Sequence, residues 1–197
     1  MTIPAIILAG GKARRMGGGD KGLLPLGSTT ILGHVLERLE PQAGPIALNA
    51  NGDPARFDAL GIPVLRDPVP DHPGPLAGVL AGLLWARAAG AAHAVTVAAD
   101  TPFFPRDLVA EFLSVDAPIV LAETPNGRHP TFGMWSTSLV EPLSQALSDG
   151  VRKVVAFTDA HGAQSAVFAD TPFDPFFNVN TPEDLSEAES LLKAHAP

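Results

Sequence analysis

The sequence predicts an α/β fold in which a mostly parallel sheet carries helices on both faces, and two observations support that prediction. Short apolar runs alternate along the chain with longer segments of helical pattern, the order expected of a sheet layered with helices. Most of the apolar runs show no polar alternation, as is typical of strands covered on both faces. The chain has 197 residues and no repeat or linker, so we expect one domain over residues 1–197.

The elements follow in chain order from apolar runs and capping residues. The strand candidates are 3–8, 46–49, 64–65, 94–98, 119–122, 132–135 and 166–168. The helix candidates are 30–39, 76–89, 105–113, 139–148, 151–159 and 182–193. Ser28 and Thr29 are expected to cap the first helix and Thr181 the last. Pro54, Pro105 and Pro182 lie at or near predicted helix starts, where proline is preferred.

Composition excludes several classes of function. Hydrophobic residues make up 46% of the chain and charged residues 17%, which indicates a globular protein. The formal net charge of −8 disfavours binding to nucleic acid or to an anionic membrane. Cysteine is absent, which excludes disulfides and thiol chemistry. No apolar run approaches the roughly 18 residues of a membrane span. We therefore expect a cytoplasmic protein that binds neither nucleic acid nor membrane.

A basic, glycine-rich segment follows the first strand. Residues 8–27 read LAGGKARRMGGGDKGLLPLG, with six glycines before residue 23 and four of the chain's thirteen cations: Lys12, Arg14, Arg15 and Lys21. Glycines let successive backbone amides converge on phosphate oxygens, and the cations neutralise them. The segment predicts a nucleotide-phosphate site, with a mobile surface loop as the alternative.

Two familiar phosphate motifs do not apply. Residues 17–22 match GxGxxG, but the match lies about nine residues beyond the strand, and Pro25 follows where a dinucleotide-binding fold needs a helix. Gly11 and Lys12 are followed by Ala13 rather than by serine or threonine, so this is not a Walker A loop.

Polar residues follow the other predicted strands, where ligands bind in open α/β sheets. Asn49 and Asn51 follow the second strand, Asp67 the third and Asp100 the fourth. A carboxylate there suits Mg²⁺, which combines one or two carboxylates with phosphate oxygens; a helix cap or turn is the alternative for Asp100.

Asn178 and Asn180 flank one valine, so on a strand they would face the same side; the alternative is capping of the last helix. No catalytic triad and no histidine spacing typical of a metal site is found. His72 and His129, which precede prolines in predicted loops, are weak candidates for substrate contact.

Together these motifs resemble the molybdenum cofactor guanylyltransferase family. The resemblance runs from Ile7 to near Leu185, and its motifs are LAGGKARRMGGGDKGLLPLG, NAN at 49–51, RD at 66–67, PGPLAG at 73–78, DTPF at 100–103 and NVNTPEDL at 178–185. It implies a Rossmann-like nucleotidyltransferase fold and the Mg²⁺-dependent transfer of GMP from GTP to the terminal phosphate of molybdopterin, with release of pyrophosphate. Gly19 departs from it, because a bulkier residue is common there.

The resemblance also implies roles for individual residues. Leu8, Ala9, Gly10 and Gly11 would contact the guanine nucleotide, Lys21 its phosphates, Asn49 and Asp67 the base and ribose, Asp100 the metal, and Asn178 and Asn180 the pterin. The catalytic residues would be Arg15, Lys21 and Asp100, and Gly18, Gly74 and Gly78 fall at the remaining motif positions.

The implied reaction explains the absence of a general base, because the attacking phosphate of molybdopterin is already an anion. Two alternatives remain at this point. One is a cytidylyl- or sugar-phosphate nucleotidyltransferase. The other is a non-catalytic nucleotide- and cofactor-binding adaptor that serves apoenzymes or cofactor-carrier proteins.

Overall fold

The computed structural model describes residues 2–10, 20–69 and 74–194. Within this part of the chain it contains nine strands and six α-helices. The strands are β1 Ala5–Leu8, β2 Pro25–Leu26, β3 Thr29–Thr30, β4 Ile46–Asn49, β5 Val64–Leu65, β6 His93–Ala98, β7 Ile119–Thr124, β8 Gly127–Ser136 and β9 Gln164–Val167. The α-helices are α1 Ile31–Leu39, α2 Pro75–Ala88, α3 Leu108–Leu113, α4 Val140–Ser148, α5 Val154–Ala160 and α6 Pro182–Ala194.

Seven of these strands form one sheet in the order β5-β4-β1-β6-β8-β7-β9. All neighbouring pairs are parallel except those that β8 makes with β6 and β7, so β8 alone of these seven strands is reversed. The prediction of a mostly parallel sheet is confirmed. After β1 the chain adds β4 and β5 on one side and then crosses to β6 on the other. The carboxyl ends of β1 and β6 therefore flank a topological switch point, where such sheets bind ligands.

Helices cover both faces of the sheet, as predicted. Successive residues of β1 point to opposite faces: Ala5 and Ile7 belong to one buried cluster, Ile6 and Leu8 to the other. The first cluster includes the apolar faces of α1 and α3, and the second those of α2, α4 and α5. Because both faces are apolar, the strands carry no polar alternation.

A small third cluster fixes the segment before α6 against the end of β6. It joins Leu26 of β2, Phe103, Val179 and Ala188 of α6. The backbone amide of Val179 also donates to the carbonyl of Asp100 at 2.8 Å. This packing brings the asparagines on either side of Val179 to the carboxyl edge of the sheet.

Several predicted boundaries were wrong. Ser28 and Thr29 do not cap α1: Thr29 pairs with Leu26 in the β2–β3 hairpin, and Thr30 Oγ1 accepts from the amide of Gly33 at 3.0 Å. The predicted strand 132–135 is the longer β8. The segment at Asn178 and Asn180 is not a strand, because it forms no ladder. No helix in the described residues is long and apolar enough to cross a membrane.

Candidate active site

An ion pair joins Lys21 and Asp100 at the switch point. Lys21 begins a short 3₁₀ turn, Lys21–Leu23, which places its Nζ 2.8 Å from Asp100 Oδ2. The side chains are 17% and 23% exposed, so the pair is partly shielded from water but still reachable by a ligand. Lys21 Nζ also donates to Asn180 Oδ1 at 2.5 Å. The basic segment after β1 is thus joined to the residues that follow β6 and precede α6.

Asn178 and Asn180 are linked to Asp100 through Thr101 and Lys21. Thr101 Oγ1 donates to Asn178 Oδ1 at 3.1 Å and makes a longer contact of 3.4 Å to Asp100 Oδ1. Asn178 and Asn180 are exposed while Val179 is buried, and the two amide oxygens accept from Thr101 and Lys21, next to the end of β6. Neither asparagine side chain caps α6. The cap is formed by Thr181 and Asp184, whose side-chain oxygens each accept from the other residue's backbone amide.

A wall of polar side chains, formed by Asn49, Asn51 and Asp67, follows β4 and β5. Asn49 Nδ2 donates to Asp67 Oδ1 at 2.9 Å and to the carbonyl of Leu65 at 3.2 Å. Asn51 Nδ2 donates to Asp67 Oδ2 at 2.6 Å, and Asn51 Oδ1 accepts from the Asp67 amide at 3.1 Å. Asp67 is therefore held through both carboxylate oxygens, which fixes its orientation and leaves it lone pairs for a ligand.

Ala9 and Gly10 follow β1, which lies between β4 and β6, so they separate this wall from the Lys21–Asp100 pair. A cleft is lined by Leu8, Ala9, Gly10, Asp20, Lys21, Gly22, Leu32, Phe57, Ala99 and Asp100. The amide of Ala9 is bonded to the carbonyl of Asn49 at 2.9 Å, which continues the ladder into the cleft. A Cβ on Gly78 of α2 would lie 2.2 Å from Asn49 Oδ1, so only glycine lets α2 approach this close.

Arg56 and Asp20 form another ion pair at the site, and the sequence analysis assigned a role to neither residue. Arg56 lies in the 3₁₀ helix Pro54–Leu60, and its Nε donates to Asp20 Oδ2 at 2.5 Å. No local motif marks Arg56, because its partner lies 36 positions earlier in the chain.

Some predicted site residues lie outside the described residues: Gly11, Arg15 and Gly18, together with Lys12, Arg14 and His72. His129 lies in β8 rather than in a loop. Its ring stacks on Phe176 at 4.3 Å, and its Nε2 is 3.0 Å from Thr124 Oγ1. Burial lowers the pKa of His129, and the nearby charge of Asp174 opposes this shift.

The oxygen donors at Asp100 suit a hard divalent cation whose remaining coordination positions are filled by a bound nucleotide. Among the described residues there is no cluster of three or more His, Asp or Glu side chains that could hold a metal ion by itself. Asp100 instead offers one carboxylate, and the amide oxygens of Asn178 and Asn180 accept from Thr101 and Lys21, the two residues that contact this carboxylate. Oxygen donors of this kind suit Mg²⁺ when phosphates supply further ligands.

A mostly parallel sheet with charged side chains at its switch point is typical of ligand-binding α/β proteins, and the family model identifies the class as an α/β nucleotidyltransferase. The family model described as "MobA-like NTP transferase domain" matches residues 5–165. A molybdenum cofactor guanylyltransferase of Bradyrhizobium sp. (strain ORS 278) is 48% identical, with 96% of this chain and 93% of the relative covered. One of Cereibacter sphaeroides is 48% identical over 100% of both chains.

Among solved structures, molybdopterin-guanine dinucleotide biosynthesis protein A from Archaeoglobus fulgidus has the same fold. Its TM-score is 0.75 at 20% identity, with 98% of this chain and 100% of that chain covered. The chain belongs to the MobA-like NTP transferase family, among the molybdenum cofactor guanylyltransferases.

Proposed function

We propose that the protein transfers GMP from GTP to the terminal phosphate of molybdopterin and releases pyrophosphate. Relatives named molybdenum cofactor guanylyltransferase match the whole chain at 48% identity, which supports this activity. GTP and molybdopterin are then the substrates. The observation that carries the proposal is the approach of Lys21 Nζ to within 2.8 Å of Asp100 Oδ2, in the cleft that Ala9 and Gly10 also line.

Lys21 is proposed to bind the phosphates of GTP. Its ammonium group sits on the 3₁₀ turn that lines the cleft, next to Leu8, Ala9 and Gly10. A unit charge pair at about 4 Å gains roughly 4 kcal/mol at an effective dielectric constant near 20. One such contact outweighs the distant negative charge of the protein, because salt screens interactions beyond about 8 Å.

Asp100 is proposed to hold Mg²⁺, with the amide oxygens of Asn178 and Asn180 close by. When bound there, the ion would supply Lewis-acid stabilisation of the negative charge that develops on the phosphates. Without a nucleotide, Lys21 compensates the charge of Asp100. The phosphates of GTP offer Lys21 an alternative partner, which frees a carboxylate oxygen.

The proposed chemistry is a displacement at the α-phosphorus of GTP. A terminal phosphate oxygen of molybdopterin forms the new P–O bond, while the bond from the α-phosphorus to the bridging oxygen breaks and pyrophosphate leaves with the electron pair. No proton is removed from the nucleophile, so no general base is needed. Lys21 and Arg15 are proposed to stabilise the transition state through their positive charges.

Asn49 and Asp67 are proposed to bind the base and ribose. The carboxylate of Asp67 accepts hydrogen bonds only, which suits the N1–H and amino donors of guanine or the ribose hydroxyls. Asn178 and Asn180 are proposed to face the pterin. We also propose that residues 1–197 act as one cytoplasmic domain that hands its product to apoenzymes or cofactor-carrier proteins, without binding nucleic acid or membranes.

The test is pyrophosphate release measured with GTP, CTP and ATP separately, each with and without molybdopterin. Release that requires both GTP and molybdopterin supports the proposal, and release with CTP would instead indicate a cytidylyltransferase. Binding of GTP without any pyrophosphate release would favour the adaptor. A dependence of the rate on Mg²⁺, abolished by a chelator and restored by added Mg²⁺, tests the metal requirement.

A further inference from the structure

Arg56 connects two parts of the site that are distant in sequence. Its Nε donates to Asp20 Oδ2 at 2.5 Å, its Nη2 donates to the carbonyl of Asn51 at 2.6 Å, and its Nη1 donates to the carbonyl of Asp53. Its Cζ also lies 4.5 Å from the centroid of the Phe57 ring. Arg56 therefore uses the planar, multidonor geometry of a guanidinium, which lysine does not reproduce.

The contacts of Arg56 fall on functionally different segments. Asp20 directly precedes Lys21, which is proposed to bind the phosphates. Asn51 belongs to the wall that holds Asp67, on the base and ribose side. The side chain of Arg56 thus forms hydrogen bonds to both segments.

The surroundings of Arg56 favour one fixed orientation. The side chains of Arg56 and Asp20 are 30% and 24% exposed, and the ring of Phe57 beneath the guanidinium is buried. Gly52 has a φ of +90°, and a Cβ there would lie 3.1 Å from Arg56 Nη1. The glycine thus allows both the turn and the close approach of the guanidinium.

We propose that Arg56 is a positioning residue for GTP: through Asp20 it fixes the Lys21 turn relative to the wall formed by Asn49, Asn51 and Asp67. This inference rests on the proposed GTP site. It assigns to Arg56 no contact with the substrate. Its effect is on the affinity for GTP, because an unfixed Lys21 must be ordered when the nucleotide binds.

The direction in which Asp20→Ala changes the affinity for GTP separates a positioning role from a simple electrostatic effect. Removing the negative charge of Asp20, next to Lys21, reduces repulsion of the triphosphate and would by itself tighten GTP binding. Removing a group that positions Lys21 weakens binding. Asp20→Ala therefore gives opposite predictions under the two explanations, and the positioning role predicts weaker binding.

The experiment measures the dissociation constant of GTP by titration calorimetry for the wild type, Arg56→Ala, Asp20→Ala and the double variant. We expect each single variant to raise this constant about fivefold to tenfold. The double variant should raise it no further than the more affected single variant does, because both residues act through one contact. Arg56→Lys should be intermediate. The matched control is Arg87→Ala, which removes a similarly short ion pair, 2.6 Å to Glu141, between α2 and α4 and should leave GTP affinity unchanged.

Tighter or unchanged binding in Asp20→Ala overturns the inference, as do additive effects in the double variant. If Arg56→Ala does not fold, Asp20→Ala and Arg56→Lys carry the test by themselves. A wild type that binds no GTP refutes the proposed function. A wild type that binds GTP with unaffected variants refutes only the role of Arg56.

Discussion

Replacing Asp100 with asparagine changes the charge of the site while keeping its shape. The amide oxygen that Asp100→Asn introduces could still accept from Lys21, and its amide nitrogen could donate to Thr101 Oγ1, so the side chain should keep its place in the cleft. What disappears is the negative charge opposite Lys21 and the proposed carboxylate ligand of Mg²⁺. The substitution therefore separates a role in chemistry from a role in folding.

The cost to stability can be bounded from the geometry. At 2.8 Å the attraction between Lys21 and Asp100 is about 6 kcal/mol at an effective dielectric constant of 20. Desolvation and partial exposure offset most of this, so we expect a net loss of about 1–2 kcal/mol. For a chain of this size each kcal/mol lowers Tm by roughly 2–4 °C. The variant should remain folded at assay temperature.

The expected effect on turnover is much larger. Losing the metal carboxylate should lower the rate of pyrophosphate release at least about 100-fold at a fixed Mg²⁺ concentration, because electrostatic stabilisation of developing charge is a major contribution in such sites. The control is Asp107→Asn, since Asp107 precedes α3, is exposed and makes no side-chain capping bond. It should keep the wild-type rate.

The assay measures pyrophosphate release across a titration of Mg²⁺, with Tm measured on the same samples. Wild-type turnover and an unchanged Mg²⁺ dependence in Asp100→Asn would refute the metal role of Asp100. If turnover is lost only to the extent that the variant unfolds, the claim that Asp100 acts in the reaction rather than in folding would be refuted.

Three further predictions follow from particular contacts. Gly78→Ala and Gly82→Ala both crowd α2, and each should lower the free energy of unfolding by about 1–3 kcal/mol. The new Cβ at position 78 would meet Asn49, whereas the one at position 82 would meet Ile6 in the core. Only Gly78→Ala should therefore also raise the Kd for GTP. Equal GTP affinities in these two variants would contradict the reasoning. Because burial lowers the pKa of His129, the unfolded state binds more protons, so its contribution to stability is present above about pH 6.5 and is lost as pH falls below that value. His129→Gln should show a shallower fall in Tm between pH 7 and 5 than the wild type, and identical slopes would argue against this. A chelator should abolish turnover without lowering Tm in the absence of nucleotide, because no described cluster of acidic or histidine side chains holds a metal by itself; a chelator-induced fall in Tm would contradict this.

The sheet and its helices could be predicted because the strands are buried on both faces. Strands such as β1 and β4 are wholly apolar apart from Asn49, and that pattern is visible without knowing their neighbours. The full length of β8 was missed because its first residues include Arg128, which is exposed, and His129, which is polar and only partly buried. The β2–β3 hairpin was missed because its two-residue strands contain Pro25, Thr29 and Thr30 and so form no apolar run, unlike Val64–Leu65 of β5.

The candidate site was partly predictable for a related reason. Strand ends can be located from sequence, and parallel strands bring their carboxyl ends to one edge, so Asn49 and Asp100 could be grouped before the structure was known. Arg56 could not be assigned to the site from the sequence, because it lies in a 3₁₀ helix and its ion pair with Asp20 depends on tertiary packing. The roles of these residues in binding GTP, Mg²⁺ and the pterin stay predictions.

The most direct measurement is a crystal structure with GTP and Mg²⁺ bound. The proposed function predicts phosphate oxygens within hydrogen-bonding distance of Lys21 Nζ, a metal ion ligated by Asp100, and the base beside residues 8–10. A nucleotide bound elsewhere, with Lys21 and Asp100 still paired at 2.8 Å and out of reach of its phosphates, would contradict it.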